Sequence, residues 1–329
     1  MKLTFEQIKS VTRGAACFLE QDGTLMPCRF TEAQAKAYQE IHTGFYHKVF
    51  ASAGICLSFL TNSRFISLKA GLTPASSCSC VGFDVYANGA LLKACSDTVT
   101  EPHTEATVFA ELPGGEMPIE VTVYFPWSVS TAIRSVTLED GALVIPVKRP
   151  LSMISFGDSI THGYVCSNPS FSYTSRVADA LQAELINKGI GGEVFFPALA
   201  SLKDVVEPDV ITVAYGTNDF SSSTRETFER DSKAFYENLT AIYPKARIFA
   251  ISPIWRQDLE RTDRQVGLFS HVYDYLSQIA AGLPNVTVIN GLELVPHEWR
   301  CFPKDGLHPN DEGARHYANN LYAEIKKYL

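Results

Sequence analysis

The sequence predicts two domains of different class: an N-terminal β-sandwich or jelly roll, followed by an α/β domain built on a parallel sheet. The chain has 329 residues, a length that suits about two domains. Up to about residue 148 short strands are separated by frequent turn signals, as in all-β sandwiches. Beyond Pro150 apolar strands alternate with helical segments, which is typical of βαβ units. We therefore divide the chain into residues 1–148 and 151–329.

The N-terminal half shows the period-2 alternation of half-buried strands. This alternation is seen at residues 64–72, 81–89 and 119–127. Two dipeptides, Asn88-Gly89 and Asp140-Gly141, predict hairpin turns between β-rich runs. Residues 31–50 favour a helix, because Thr31 can cap it and the run that follows is rich in alanine.

The C-terminal half predicts a doubly wound sheet. Its strands begin with "LSMISF", "DVITVAYG", "RIFAISPIW" and "NVTVING", and a short strand precedes "NKGIGGE". Helices are predicted between and after them, at residues 172–185, 223–242, 263–281 and 311–328. Strands that alternate with helices form βαβ units, which give a parallel sheet with right-handed crossovers. In such sheets the functional residues lie at the carboxyl ends of the strands.

Composition and charge exclude several classes of partner. The net charge of −8 disfavours binding to nucleic acid or to an anionic membrane. We find no apolar run of membrane-spanning length and no signal peptide, and so expect a cytoplasmic protein. None of the eight cysteines forms a CxxC pair, and we interpret them as reduced thiols.

Four short motifs fall at or near the ends of elements in the C-terminal half. They are "GDSI" at 157–160, "NKGIGGE" at 187–193, "YGTND" at 215–219 and "DGLHPND" at 305–311. All four map to one edge of the predicted sheet. Each one alone is an ordinary turn or cap, whereas the ordered set at one edge indicates catalysis.

The residue types at this edge fit acyl transfer by a serine nucleophile. Ser159 supplies a hydroxyl, His308 a base, and Asp305, three residues earlier, a carboxylate to orient that base. The backbone N–H groups of Ser159 and Gly192 and the side-chain amide of Asn218 are candidate donors to an oxyanion. The pattern is not the G-x-S-x-G elbow of α/β-hydrolases, since Thr161 stands where that motif needs glycine.

These motifs resemble those of the SGNH (GDSL) hydrolase superfamily. The resemblance covers residues 151–329 and departs from the family's first block only in Ile160, where leucine is usual. It implies a flavodoxin-like three-layer α/β/α sandwich and an esterase mechanism. It also implies Ser159 as nucleophile, His308 as base and Asp305 as triad acid, with Ser159, Gly192 and Asn218 forming the oxyanion hole. Gly189 and Gly191 are alternatives for the glycine of the second block, and we choose Gly192 from its spacing after Asn187. A β-sandwich preceding such a domain is similar to the architecture of two-domain carbohydrate esterases.

Neighbouring polar residues have alternative interpretations. We expect Asp158 and Asp219 to hold their loops and His316 to lie on a helix face. His162 is close to Ser159 in sequence but has no evident orienting acid, so we do not assign it as the base. Further substrate-contact candidates, each with a packing alternative, are Tyr164, Trp255 and Arg256.

The sequence therefore predicts a serine esterase that needs no cofactor. A metal site on Asp305, His308 and Asp311 lacks further ligands, so we expect no metal. Our leading substrate is a short-acyl, notably acetyl, ester of a carbohydrate. Two alternatives remain: an acyl thioesterase or acyltransferase using the same residues, and a glycan-binding protein on a hydrolase scaffold.

Overall fold

The computed structural model describes residues 1–78, 80–98 and 104–329. Two antiparallel sheets lie in the N-terminal half and a parallel sheet lies in the C-terminal half. The fold is thus mixed α/β, with a β-sandwich preceding a helix-flanked parallel sheet, as the sequence predicts.

The N-terminal half contains α1 (Phe5–Val11), α2 (Glu32–Ile41) and a 3₁₀ helix (Thr43–Phe50). Its strands are β1 (Thr12–Arg13), β2 (Cys17–Gln21), β3 (Thr24–Cys28), β4 (Cys56–Thr61), β5 (Phe65–Pro74), β6 (Cys80–Ala87), β7 (Ala90–Thr98), β8 (Thr104–Glu111), β9 (Ile119–Tyr124), β10 (Val129–Leu138) and β11 (Ile145–Pro146). One sheet runs β1-β4-β9-β6-β7 and the other β2-β3-β10-β5-β8. Apolar side chains from both sheets form a single buried core between them.

The C-terminal half contains strands β12 (Leu151–Gly157), β13 (Ala183–Gly189), β14 (Val210–Ala214), β15 (Arg247–Ile251) and β16 (Val286–Ile289). Its helices are α3 (Ser159–His162), α4 (Tyr173–Leu181), α5 (Pro197–Ala200), α6 (Thr217–Ser222), α7 (Arg225–Ile242), α8 (Phe269–Ala281) and α9 (Asp311–Lys326). Short 3₁₀ helices occupy Pro169–Phe171, Gly291–Glu293 and Trp299–Cys301.

The parallel sheet has the strand order β13-β12-β14-β15-β16. The first strand in sequence is flanked by the second and third, which is the flavodoxin-like order. Separate apolar clusters cover its two faces, one around Phe156 and Phe235 and the other around Met153 and Leu321. The predicted three-layer sandwich is confirmed, and its topological switch point lies at β12.

One of the two predicted hairpins is confirmed. Asn88 and Gly89 adopt positive φ values of 46° and 78° between the paired strands β6 and β7, as a type I′ turn requires. The prediction at Asp140-Gly141 was wrong. Gly141 does make a turn, but β11 then pairs with β4 in the opposite sheet instead of returning along β10.

The predicted helices are mostly confirmed, with shorter bounds. Thr31 caps α2 by accepting a hydrogen bond from the Gln34 N–H, but residues 43–50 form a 3₁₀ helix. The helix predicted over 172–185 ends at Leu181, because Gln182 adopts a left-handed conformation and β13 begins one residue later. The strand that precedes "NKGIGGE" therefore takes residues that the helical pattern had included.

Part of the N-terminal half packs on the parallel sheet. Phe30, Tyr38 and Val49 are buried in the same apolar cluster as Phe156 and Phe235. The segment that joins β3 to β4 thus completes one face of the C-terminal core, in addition to linking two strands of the sandwich.

Within the described part of the chain, no helix has the length and apolarity needed to cross a lipid bilayer. Cys17, Cys28, Cys56, Cys95, Cys166 and Cys301 are present as thiols. The side chain of Cys80 and all of Ser79 lie outside the described residues.

Candidate active site

Three of the four motifs begin side by side at the carboxyl edge of the parallel sheet. Gly157 at the end of β12 pairs in register with Gly189 at the end of β13 and with Ala214 at the end of β14. The residues that follow these strands therefore leave the sheet at one place. The fourth motif reaches it from the loop that precedes α9.

Ser159 is the first residue of α3, and its position depends on Asp158. The Asp158 Oδ1 atom caps the helix by accepting from the Ile160 N–H at 2.9 Å. Glycine is required at 157, because a Cβ there would lie 2.1 Å from Thr161 Oγ1. Ser159 is thus presented at a tight strand-to-helix turn beside β12.

Ser159, His308 and Asp305 form a continuous hydrogen-bonded chain. The Ser159 Oγ lies 2.7 Å from His308 Nε2, and His308 Nδ1 lies 2.7 Å from Asp305 Oδ2. The other carboxylate oxygen, Oδ1, accepts from the backbone N–H groups of Leu307 and His308 at 3.0 and 2.9 Å. The structure therefore brings together the three residues that the sequence proposed as nucleophile, base and acid.

The carboxylate of Asp305 is held in its charged form. Partial burial raises its pKa, but hydrogen bonds from the backbone and ring of His308 outweigh this, so the net pKa lies below the usual value. A charged Asp305 accepts a hydrogen bond from the Nδ1–H group of His308, which leaves Nε2 unprotonated as the acceptor that faces Ser159. This is the tautomer that a general base needs.

The second and third motifs make one connected loop structure. The Asn218 side-chain amide donates to the Glu193 carbonyl at 2.9 Å, and the Gly191 N–H donates to His162 Nδ1 at 3.2 Å. Gly192 has a φ of 90°, a conformation that glycine adopts without strain. Among the described residues, the backbone N–H groups of Ser159 and Gly192 have no hydrogen-bond partner. Both remain available to a bound oxygen.

His162 is fully buried and both its ring nitrogens are occupied. Nδ1 accepts from Gly191, and Nε2 donates to the Trp127 carbonyl at 2.9 Å. Burial holds the pKa of His162 well below its usual value, so the ring is neutral. His162 supports the loop of the second motif, and no ring nitrogen is left for proton transfer from Ser159.

Asp158 and Asp219 are buried carboxyls that hold loops, as expected. Asp219 accepts from the Gly216 N–H at 3.1 Å and from the Phe195 N–H at 3.4 Å. Burial raises the pKa of each of the two carboxyls to about 7. His316 lies on α9, with its Nε2 atom 3.9 Å from Glu312.

Tyr164 contacts His308 rather than open solvent. Its ring stacks on the imidazole of His308 at a centroid distance of 5.9 Å. Its hydroxyl lies 2.9 Å from the Ser77 Oγ atom, in the N-terminal half, and accepts from the Ser77 N–H. This geometry favours the packing alternative for Tyr164, with the ring holding His308 in place.

The Arg256 side chain also forms an ion pair and a hydrogen bond with other residues of the protein. Its guanidinium pairs with Asp258 and donates to the Thr217 carbonyl at 2.7 Å. The Gln257 N–H donates to the Gly306 carbonyl at 2.7 Å. Residues 256–257 thus link the third motif to the fourth. Trp255 is half-buried, with its ring against Phe302 and His297.

Several residues of the N-terminal half reach this edge, and sequence reasoning missed them. The Arg29 guanidinium is fully buried and donates to the carbonyls of Asn187 and Gly189 at 2.9 and 2.6 Å. The Lys48 ammonium donates to the Gly191 carbonyl at 2.6 Å. Trp127 packs against His162 and Tyr164. No motif marks these residues, because each meets the site from a distant part of the chain.

Comparison with known proteins identifies the C-terminal half. Residues 155–316 match the GDSL-like lipase/acylhydrolase family. This is a GDSL hydrolase domain. The GDSL domain makes the chain an ester hydrolase, and its bounds enclose all four motifs. Among the described residues, no group of three or more His, Cys, Asp or Glu side chains is placed to bind a metal ion.

Solved structures match this chain over almost its whole length. The salicylyl-acyltransferase SsfX3 from a tetracycline biosynthetic pathway has a TM-score of 0.80 at 21% identity, covering 96% of this chain and 94% of that one. A family two carbohydrate esterase from Clostridium thermocellum, in complex with cellohexaose, has a TM-score of 0.69 at 16% identity, covering 96% and 98%.

A further solved structure is an acetyl xylan esterase from the rumen bacterium Butyrivibrio proteoclasticus. It has a TM-score of 0.61 at 16% identity and covers 85% of this chain and 91% of that one. These likenesses show that the sandwich and the GDSL domain recur together as one architecture. A comparison with curated protein sequences found no match.

Proposed function

We propose that the enzyme is a serine esterase in which Ser159, His308 and Asp305 act as a catalytic triad. The observation that carries the proposal is the pair of 2.7 Å contacts that join these three side chains. Hydrogen bonds of this length allow His308 to take the hydroxyl proton as Ser159 attacks. The roles assigned to the three residues are those of a nucleophile, a base and an orienting acid.

In the first half-reaction, the Ser159 oxygen bonds to the acyl carbon while its proton passes to His308 Nε2. The tetrahedral oxyanion accepts hydrogen bonds from the Ser159 and Gly192 N–H groups and from the Asn218 amide. Each donor of this kind contributes about 3 kcal/mol of transition-state stabilisation. Collapse expels the alcohol, which takes the proton from His308 and leaves an acyl-serine.

In the second half-reaction, water replaces the alcohol. His308 removes a proton from the water as its oxygen attacks the acyl carbon, and then returns that proton to the Ser159 oxygen. Throughout, Asp305 fixes the Nδ1–H tautomer and stabilises the positive charge on the imidazole. The products are a carboxylic acid and the free enzyme.

The assignment of Ser159 is tested by its replacement. We expect Ser159→Ala to lower kcat on p-nitrophenyl acetate by about 10⁴-fold or more, because the proposed nucleophile is removed. Circular dichroism and the thermal midpoint would verify the fold of the variant. Wild-type turnover by a folded variant would exclude the mechanism.

For the substrate, we propose a short-acyl ester of a carbohydrate, with acetyl as the leading acyl group. The proposal is supported by likeness to a carbohydrate esterase bound to cellohexaose and to an acetyl xylan esterase. The test is a panel of acyl chains of increasing length on sugar and non-sugar alcohols. We expect kcat/KM to be highest for acetylated sugars. A preference for long acyl chains on non-sugar alcohols would contradict this choice.

Acyl transfer to an acceptor other than water is a second candidate, favoured by likeness to the acyltransferase SsfX3. The same acyl-serine would then react with an alcohol or amine. Measuring product partitioning with added sugar or alcohol acceptors distinguishes the two reactions. Hydrolysis predicts free acid as the main product, whereas a transferase predicts transfer product in excess over acid.

A further inference from the structure

The Lys48 side chain is built into the loop of the second motif. It projects from the 3₁₀ helix Thr43–Phe50, is partly buried, and donates from Nζ to the Gly191 carbonyl at 2.6 Å. Its ammonium also lies 4.9 Å from the centre of the Phe45 ring. A short hydrogen bond from a charged donor is stronger than one between neutral groups.

The acceptor of this bond belongs to a particular peptide unit. The Gly191 carbonyl shares its peptide bond with the Gly192 N–H, which is one of the proposed oxyanion donors. A cation on the carbonyl oxygen draws electron density through the conjugated peptide and strengthens the N–H as a donor. Lys48 therefore contacts the carbonyl end of this peptide, whereas the N–H at its other end is the proposed oxyanion donor.

Other contacts hold both Lys48 and the loop in place. Arg29 donates to the Lys48 carbonyl at 2.9 Å and, through its other nitrogen, to the Gly189 carbonyl at 2.6 Å. His162 accepts from the N–H of Gly191. A Cβ on Gly192 would lie 4.0 Å from the Lys48 ammonium, which shows how closely the charge approaches this residue.

We propose that Lys48 is a positioning residue for ester hydrolysis, acting through the Gly191–Gly192 peptide to orient and strengthen the Gly192 N–H as an oxyanion donor. The inference rests on the proposed function, since it requires the oxyanion to form beside Gly192. It assigns to the N-terminal half a direct electrostatic contribution to the reaction. The effect belongs to the transition state, so it changes kcat more than KM.

The test compares Lys48→Met with Lys48→Arg, each assayed for kcat and KM on p-nitrophenyl acetate. We expect Lys48→Met to lower kcat about tenfold with KM changed less than about twofold, a fraction of the effect of deleting an oxyanion donor outright. Lys48→Arg keeps a charged donor and is expected to retain most of kcat. Lys36→Met, which removes an exposed lysine from the neighbouring helix, is the matched control.

Two outcomes would overturn the inference: a Lys48→Met variant with wild-type kcat, or a folded Lys48→Arg variant as impaired as Lys48→Met. Thermal midpoints of all variants separate loss of fold from loss of rate. The parallel Ser159→Ala assay separates this inference from the proposed function. If Ser159→Ala is inactive while Lys48→Met is unchanged, only the role of Lys48 is wrong. If Ser159→Ala retains turnover, the triad itself is wrong.

Discussion

At the scale of single residues, hydrogen-bond partners distinguish the two histidines near Ser159. His308 forms hydrogen bonds with the serine hydroxyl and with a charged carboxylate, whereas both ring nitrogens of His162 form hydrogen bonds with backbone groups. The distance along the chain is misleading here, because His162 is three residues from Ser159 and His308 is 149 residues away.

The first prediction concerns these two histidines. We expect His308→Ala to lower kcat by about 10⁴-fold or more, because the base is removed. His162→Asn is expected to keep the acid limb of the pH–rate profile, because His162 stays neutral and does not titrate in that range. Profiles of kcat/KM against pH measure both. Loss of the acid limb in His162→Asn, with His308→Ala still active, would reverse the assignment.

The side chains that form the hydrogen-bonded chain could be predicted from sequence, but the neighbours that hold them could not. Ser159, His308 and Asp305 lie in short motifs whose residue types and spacing indicate their chemistry. Tyr164 is a substrate-contact candidate with a packing alternative from sequence, and the structure places its ring on His308. Its hydroxyl partner, Ser77, lies 87 residues away, and nothing in either local sequence marks the pair.

At the scale of elements, the close approach of β13 to α3 positions Ser159. A Cβ on Gly189 would lie 2.4 Å from the backbone nitrogen of His162, and backbone atoms cannot move aside as a flexible side chain can. The end of β13 and the helix that begins with Ser159 are therefore in backbone contact.

The second prediction tests this contact. Gly189→Ala is expected to lower the free energy of unfolding by about 1–3 kcal/mol and to reduce kcat, because α3 is displaced. Gly115→Ala is the control, since a Cβ there meets nothing within 4 Å; its effect should stay within about 0.5 kcal/mol. Urea denaturation and kcat are the measurements. Equal stability and rate for the two variants would show that the contact is not required.

The third prediction concerns Asp158, the cap of α3. Burial raises the pKa of the Asp158 carboxyl to about 7, whereas in the unfolded chain the pKa is about 4. The folded state therefore binds the carboxyl proton more tightly than the unfolded chain does. The contribution of Asp158 to stability is full below about pH 4 and is lost as pH rises to 7. Asn cannot titrate but can still accept from the Ile160 N–H.

Relative to wild type, Asp158→Asn should therefore become more stable as pH rises from about 4 to 7, by at most about 4 kcal/mol. Unfolding free energies measured by urea denaturation across this range test the sign. A stability difference that is constant with pH, or that shrinks towards pH 7, would show that the buried carboxyl does not hold its proton as described.

Element types were more predictable than strand partners. Alternation and turn residues located the sandwich strands, and Asn88-Gly89 makes the expected hairpin. The turn at Asp140-Gly141 has the same local signal, but β11 contains Pro146 and pairs with β4 across the sandwich. Local sequence specifies that the chain turns there, whereas the sheet that the next strand joins depends on tertiary packing.

At the scale of the whole molecule, the two halves share their interior. Arg29 is fully buried and donates to four backbone carbonyls, those of Ala51, Asn187, Gly189 and Lys48. It joins the segment after β3 to the end of β13. Arg29 is thus one of several side chains of the N-terminal half that support this edge of the parallel sheet.

The fourth prediction is that Arg29→Met destabilises the protein by at least about 3 kcal/mol, because buried carbonyls lose a charged donor. The matched control is Arg134→Met, which removes an exposed arginine paired with Glu105; its effect should be below about 1 kcal/mol. Urea denaturation of both variants is the measurement. Similar, small losses for the two would show that Arg29 does not join the halves.

The domain order could be predicted from the change of pattern near residue 150, but the contacts between the halves could not. Phe30, Tyr38 and Val49 have the apolar or aromatic character of any core residue, and their sequence does not indicate which core they enter. An arginine such as Arg29 is usually exposed. Its burial follows from carbonyl groups that only the folded chain brings together.

The most direct test of the account is covalent labelling of the wild-type enzyme with a fluorophosphonate, followed by peptide mass spectrometry. We predict one label per chain, on the peptide that contains Ser159, and strongly slowed labelling in His308→Ala, because the base is absent. No adduct on a folded wild-type enzyme that hydrolyses esters, or an adduct confined to a different serine, would contradict the assignment of Ser159 as the nucleophile.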